Sequence, residues 1–212
     1  MRWHDAYLDP ASPLSLRLRL VQQQVRHVLD HHPPGSIRIT SICAGQGRDV
    51  IDVVATHPRS PDVHAVLVEA DPDLVAFARH RAEAAGVSER VTVHHGDGSK
   101  AAAYIGAVPA DLVLACGVLG NISDDDTEAL IRALPTFCAA GASVIWTRHR
   151  RPPDKTPFVR ALFESAGFSE HSFSAPDPYV LTVGRHVLRI EPAPFDPTAR
   201  LFEFVGDGSL PA

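Results

Sequence analysis

The chain has 212 residues, 45 % hydrophobic and 21 % charged, with a formal net charge of −5. These values belong to a globular chain long enough to bury its own core, and nothing in them suggests disorder. The acidic balance argues against nucleic acid as a partner, and no apolar run reaches the roughly 18 residues of a membrane helix.

Met1-Arg2-Trp3-His4-Asp5 lacks the apolar stretch of a secretory leader, and Cys43, Cys116 and Cys138 sit in apolar runs without C-x-x-C spacing. Both features point to buried thiols in a reducing cytoplasm. LSLRLRLVQQQVRHVL, Leu14–Leu29, has the apolar spacing of an amphipathic helix. Residues 1–35 are therefore expected to form an N-terminal helical cap, and 36–212 a single domain.

Ile37–Cys43 predicts a first strand and Asp49–His57 the helix after it. Val63–Glu69 is the second strand. Asp71-Pro72 then supplies a cap and a first-turn proline for a helix that Gly86 ends. Val91–His95 is a third strand, followed by a short Ala-rich helix near Lys100–Ile105 and a fourth strand, Asp111–Ala115. Ser123 caps the next helix, Asp124, Asp125 and Asp126 suit its positive end, and Gly141 closes it. Leu130, Ile131, Leu134, Phe137 and Cys138 form its buried stripe. Ala142–Thr147 is a fifth strand. Thr156-Pro157 opens a helix with Phe158, Leu162 and Phe163 inward and Gly167 as its stop.

Three strand candidates remain: Phe168–Phe173, Val180–Ile190 and Leu201–Val205. Two of them are expected to form an antiparallel edge. The alternation predicts a three-layer α/β fold, a mostly parallel sheet with helices on both faces.

In such a sheet a ligand sits at the carboxyl ends of the strands. Gly45 and Gly47 allow close approach to the backbone, and the helix start offers free N–H groups. Where a dinucleotide turn wants a third glycine, the chain continues Arg48, Asp49, Val50. A carboxylate there repels a diphosphate and suits a ligand carrying an ammonium and a sulfonium. Glu69 ends the second strand, where a carboxylate accepts ribose hydroxyls. Gly96, Asp97, Gly98 and Ser99 follow the third strand, an acid among glycines that can accept an adenine amino hydrogen.

Taken in order, ICAGQGRD, VLVEAD, VHHGDGS, DLVLACGVLGNI and SAGF resemble the successive motifs of class I S-adenosylmethionine-dependent methyltransferases, from about Ile37 to Phe173. The chain resembles small bacterial members of unassigned substrate. The resemblance implies a Rossmann-like sheet and S-adenosyl-L-methionine as cofactor. It places Ala44, Gly45 and Gly47 on the methionine moiety and Glu69 on the ribose. Ala70 and Asp71 then lie beside the nucleoside, Asp97 and Gly98 at the adenine, and Cys116 and Gly117 near the sulfur.

On the acceptor side, the apolar loop Cys116–Ile122 lacks both an N/D-P-P-Y/F motif and a magnesium-binding arrangement. No metal is expected. Asn121 is a candidate for orienting an acceptor, and His149 for general base. Arg17 and Arg19 in RLRL, and Arg148, Arg150 and Arg151 in RHRR, are candidate anion contacts. The segment Trp3–Tyr7 is a candidate lid. The expected activity is methyl transfer to oxygen or nitrogen of a small molecule, by a monomer or homodimer. A nicotinamide-dependent oxidoreductase and a non-catalytic cofactor-binding or interaction protein remain alternatives.

Overall fold

The computed structural model describes residues 3–205. After a short 3-10 turn, Trp3–Leu8, helix α1 spans Pro13–His31. Ser12 caps it through a bond from the Ser15 N–H to Ser12 Oγ of 3.1 Å. Val21, Val25, Val28 and Leu29 fall on one face and are buried.

The domain then alternates: β1 Ile37–Ile42, α2 Arg48–Val54, β2 Val63–Glu69, α3 Pro72–Ala84, β3 Val91–His95 and β4 Ala110–Ala115. It continues with α4 Asp124–Ala133, β5 Cys138–His149, α5 Thr156–Ser165, β6 Phe168–Ser174 and β7 Leu181–Leu188. The sheet order is β3-β2-β1-β4-β5-β7-β6. Strands β1 to β5 pair in parallel, and β7 runs antiparallel between β5 and β6. The chain winds outward from β1 to β3 and returns to β4 beside β1. The carboxyl ends of β1 and β4 are thus the switch point at which such sheets bind ligands.

Side-chain alternation splits the core into two layers. Leu112 and Leu114 of β4 point into a cluster shared by β1, β2, β3, α1, α2 and α3. Val113 and Ala115 point the other way, to α4, α5 and the C-terminal Phe202. The N-terminal helix thus shares the core of the first three strands.

Four expectations need correction. The fourth helix ends at Ala133 and passes into a 3-10 turn, Leu134–Thr136. Pro135 has no N–H to continue an α-helix. Phe137 and Cys138 are still buried, but Cys138 opens β5 opposite Ala110. The segment near Lys100 is a 3-10 turn, Ala101–Tyr104, rather than an α-helix. Phe158 lies 36 % exposed, while Val159 takes the inward place beside Leu162 and Phe163. Leu201–Val205 is not a strand. It covers the second core layer with Leu201 and Phe202 and touches strand-like partners only at isolated bridges, Lys100 to Arg200 and Ile122 to Phe204. The edge hairpin is therefore β6 and β7.

Candidate active site

β1 runs into a turn whose first residue, Cys43, has φ +51°. The Ala44 N–H donates to the Val68 carbonyl at 2.9 Å, resting the turn on the end of β2. Gly47, with φ +64°, leads into α2. A β-carbon there would lie 2.7 Å from Leu67 Cδ2 and 2.8 Å from Ile51 Cδ1, so only glycine fits. The Gly45 N–H donates to Glu69 Oε2 at 2.7 Å. Glu69 Oε1 accepts from the Ala70 and Asp71 N–H groups, both at 2.9 Å. Glu69 is only 9 % exposed. A carboxylate offers about four acceptor positions, so Oε2 keeps one for a further donor. Asp71 itself caps α3 by accepting from the Asp73 and Leu74 N–H groups.

The third strand tip joins this group. The Gly96 N–H donates to the Glu69 carbonyl at 2.9 Å. Asp97 Oδ1 accepts from the Ser99 hydroxyl at 2.6 Å and its N–H at 3.0 Å, while Oδ2 pairs with Lys100 at 3.2 Å. The Ser99 hydroxyl, opposed by some desolvation, holds the Asp97 carboxyl below the usual range. A β-carbon on Gly98 would come 2.8 Å from Cys43 Sγ, which shows how closely the β1 and β3 tips approach.

In α2, Val50 is fully buried and fills the space that a third glycine would leave open. Asp49 sits in the first turn, and its Oδ1 accepts from the Val50 N–H at 3.1 Å. Burial pushes its carboxyl up to about 6, against the opposing field of Arg17. The folded state thus holds this proton more tightly than the unfolded chain. Its contribution to stability falls as pH rises from about 4 to about 6 and stays low above that. Asp49→Asn in the cofactor-free protein is expected to gain about 1–2 kcal/mol at pH 8, roughly 2–8 °C in Tm. The gain should vanish near pH 4; a melting series showing an equal gain at both pH values removes Asp49 as its source.

Arg48 lies over two rings, 5.1 Å from the centroid of Tyr7 and 5.2 Å from that of Phe77. The Gln22 side-chain amide donates to the Arg48 carbonyl at 2.8 Å. The N-terminal turn and α1 are thereby joined to the start of α2.

At the end of β4, burial and nearby Asp49 push the Cys116 thiol far up, so it stays protonated. Gly117 has φ +80°, and a β-carbon there would meet nothing within 4 Å. Its N–H donates to Thr147 Oγ1 at 2.8 Å, and its carbonyl accepts from Asn121 Nδ2 at 2.7 Å. Asn121 Oδ1 accepts no bond among the described residues. Beside Gly117 opens a cavity of about 120 Å³ whose walls include Arg17, Asn121, Thr147, Arg148 and His149.

Burial, then Arg148 and Arg151, push the His149 imidazole down, so it is neutral near pH 7. Its Nδ1 accepts from the Arg151 N–H at 3.3 Å, which leaves the ring proton on Nε2. His149 therefore presents a donor, and serving as a base requires the Arg151 contact to open.

The structure thus gathers the sequence-predicted residues at the ends of β1 to β5. Arg19 is not among them; it binds the exposed Pro10 carbonyl. Thr147 was missed. Its signal was a lone hydroxyl ending an apolar strand. Among the described residues no group of three or more His, Cys, Asp or Glu is placed to hold a metal ion. No helix among them is long and apolar enough to cross a membrane.

Residues 39–141 match the family model described as a methyltransferase domain. No curated protein matches in sequence. Among solved structures, the chain is similar to an O-methyltransferase family protein of Burkholderia thailandensis, with a TM-score of 0.62 and 15 % identity. That match covers 81 % of this chain but only 57 % of the other protein. Magnesium protoporphyrin IX methyltransferase of Synechocystis, solved with bound S-adenosylmethionine, gives a TM-score of 0.67 at 16 % identity, covering 88 % of this chain and 89 % of that one. An RNA methyltransferase of Salinibacter ruber in complex with S-adenosyl-L-homocysteine gives 0.55 at 21 %, covering 85 % and 97 %. At these identities the likeness is one of fold. With the methyltransferase-domain model matching residues 39–141 and a 3-2-1-4-5-7-6 sheet, the chain is similar to S-adenosylmethionine-dependent methyltransferases and shares their fold.

Proposed function

We propose that this protein transfers a methyl group from S-adenosyl-L-methionine to oxygen or nitrogen of a small organic acceptor, releasing S-adenosyl-L-homocysteine. The observation that carries this is the open space over Gly117. Gly117 also lines the cavity that holds Arg17, Asn121, Thr147, Arg148 and His149. The residues fit the cofactor. Ala44, Gly45, Gly47 and Asp49 would hold the methionine part, with the ionised Asp49 facing its ammonium. Glu69 has one acceptor position left for ribose, with Ala70 and Asp71 beside it. Gly96, Asp97, Gly98 and Ser99 would border the adenine, and Cys116 and Gly117 the sulfur.

When bound, the cofactor supplies a methyl group already made electrophilic by its sulfonium, so the reading requires no metal. The protein's work is alignment, a kind of contribution worth roughly 7–11 kcal/mol. Asn121 Oδ1 accepts a hydrogen from the acceptor, and His149 donates from Nε2. The absence of a strong base at this wall favours oxygen or nitrogen over carbon. The net charge of −5 favours a small molecule over nucleic acid. Three free cysteines suit the cytoplasm, and the protein acts as a monomer or homodimer.

The test is calorimetric titration with S-adenosyl-L-homocysteine, followed by product release over a panel of small acceptors. NAD(H) binding more tightly than the homocysteine product would overturn the reading. Within it, His149→Gln should lower kcat by about tenfold or less and leave the acid limb of the pH profile unchanged. Loss of a limb near the imidazole range would instead make His149 the base.

A further inference from the structure

We infer that the acceptor carries a carboxylate, recognised by Arg148 with Arg17 at the cavity beside Gly117. This rests on the proposed function only in taking that cavity as the acceptor's place. Two guanidinium groups line it, and the lining residues include no carboxylate. That is unexpected in a chain of net charge −5.

The acids nearest Arg148 are engaged elsewhere. Asp124 pairs with Lys155 at 2.6 Å, and Asp154 Oδ1 accepts from the Thr156 N–H and hydroxyl, both at 2.8 Å. Neighbouring Arg150 is already paired with Asp177 at 3.3 Å. One arm of Arg148, Nη1, donates to the Leu119 carbonyl. Its Nε is buried without a hydrogen-bond partner.

A buried N–H on a cation left unpaired is costly, and a planar, forked anion is what a guanidinium satisfies best. The Arg17 side chain reaches the cavity from α1, beside Tyr7, and makes no ion pair among the described residues. The neutral His149 adds a third donor rather than a competing charge. A carboxylate entering here meets three donors and no carboxylate among the lining residues, Asp49 acting on Arg17 from outside that wall, whereas a neutral amide of the same shape would place its NH2 against them.

The experiment uses benzoate and benzamide as matched probes, titrated by calorimetry into protein saturated with S-adenosyl-L-homocysteine. Benzoate should bind at least about tenfold more tightly than benzamide, as charge-assisted hydrogen bonds require. In R148Q that preference should fall below about twofold, while affinity for S-adenosyl-L-homocysteine stays within about threefold of the parent. R17Q should lower it by a smaller factor, and R148K should keep part of it. Equal binding of the two probes, no binding of either, or a preference that survives in both R148Q and R17Q overturns the inference. Should S-adenosyl-L-homocysteine itself fail to bind, the proposed function falls. The same probe comparison on the cofactor-free protein then decides the carboxylate site by the same tenfold criterion.

Discussion

Glu69→Ala is expected to abolish measurable cofactor binding and to lower the melting temperature of the cofactor-free protein. One buried carboxylate accepts from the Gly45, Ala70 and Asp71 N–H groups, joining the turns after β1 and β2. Truncation leaves three donors without their partner. Water can reach some of them, so the net cost is about 2–3 kcal/mol rather than the full sum of three desolvation penalties. For a chain of this size that is roughly 4–12 °C in Tm. Affinity for S-adenosyl-L-homocysteine should fall by about a hundredfold or more, since both the ribose contact and the shape of the turn go. Glu69→Gln keeps the shape but turns an NH2 toward backbone donors, so it should fall between parent and alanine variant. Parental affinity in Glu69→Ala, measured by calorimetry, would remove Glu69 from the site.

Gly184→Ala should be strongly destabilising. Gly184 of β7 lies opposite Trp146 of β5, and an added β-carbon would lie 2.6 Å from the indole nitrogen, closer still to the ring carbons. Trp146 is fully buried, stacked on Phe163 at 5.8 Å. Its N–H donates to His186 Nδ1 at 3.0 Å. Burial pushes the His186 imidazole down to about 4, so it is neutral and able to accept. The ring has nowhere to retreat without breaking that bond. The expected loss is about 3 kcal/mol, the upper end for overpacking, or roughly 6–12 °C in Tm. Trp146→Phe in the same chain should recover part of it, by about 0.5–3 kcal/mol of coupling. Strict additivity of the two changes in denaturant melts would show that they do not share a space. Because Trp146 precedes Thr147, which holds the Gly117 N–H, Gly184→Ala should also lower kcat in any working assay.

Strands β2 and β3 were legible to the residue, because short apolar runs there are bounded by turn and cap signals. The glycine turn, Glu69 and Asp97 were legible for a related reason. Each lies at a strand end, and the parallel order brings successive strand ends together. What the sequence hid is assembled from distant segments. The cavity beside Gly117 takes Arg17 from α1, Asn121 from the loop after β4, and Arg148 and His149 from the end of β5. No local pattern links those positions. The end of α4 was misread because Phe137 and Cys138 continue its apolar spacing even though Pro135 stops the helix. The segment Leu201–Val205 alternates like a strand, but it packs Leu201 and Phe202 on the second core layer and meets other segments only at isolated bridges. The roles assigned to Asn121 and His149 rested on position alone. Only their hydrogen bonds reveal which atom of each remains available.

Sandwiching Arg48 between Tyr7 and Phe77 has a practical result for anyone handling the protein. Each cation–ring contact is worth only about 0.5–2 kcal/mol, so the clasp over the glycine turn yields to a modest tug. A bulky group fused ahead of Trp3 is expected to loosen that clasp, and weaker nucleoside retention in such a fusion would then report the handle rather than the site.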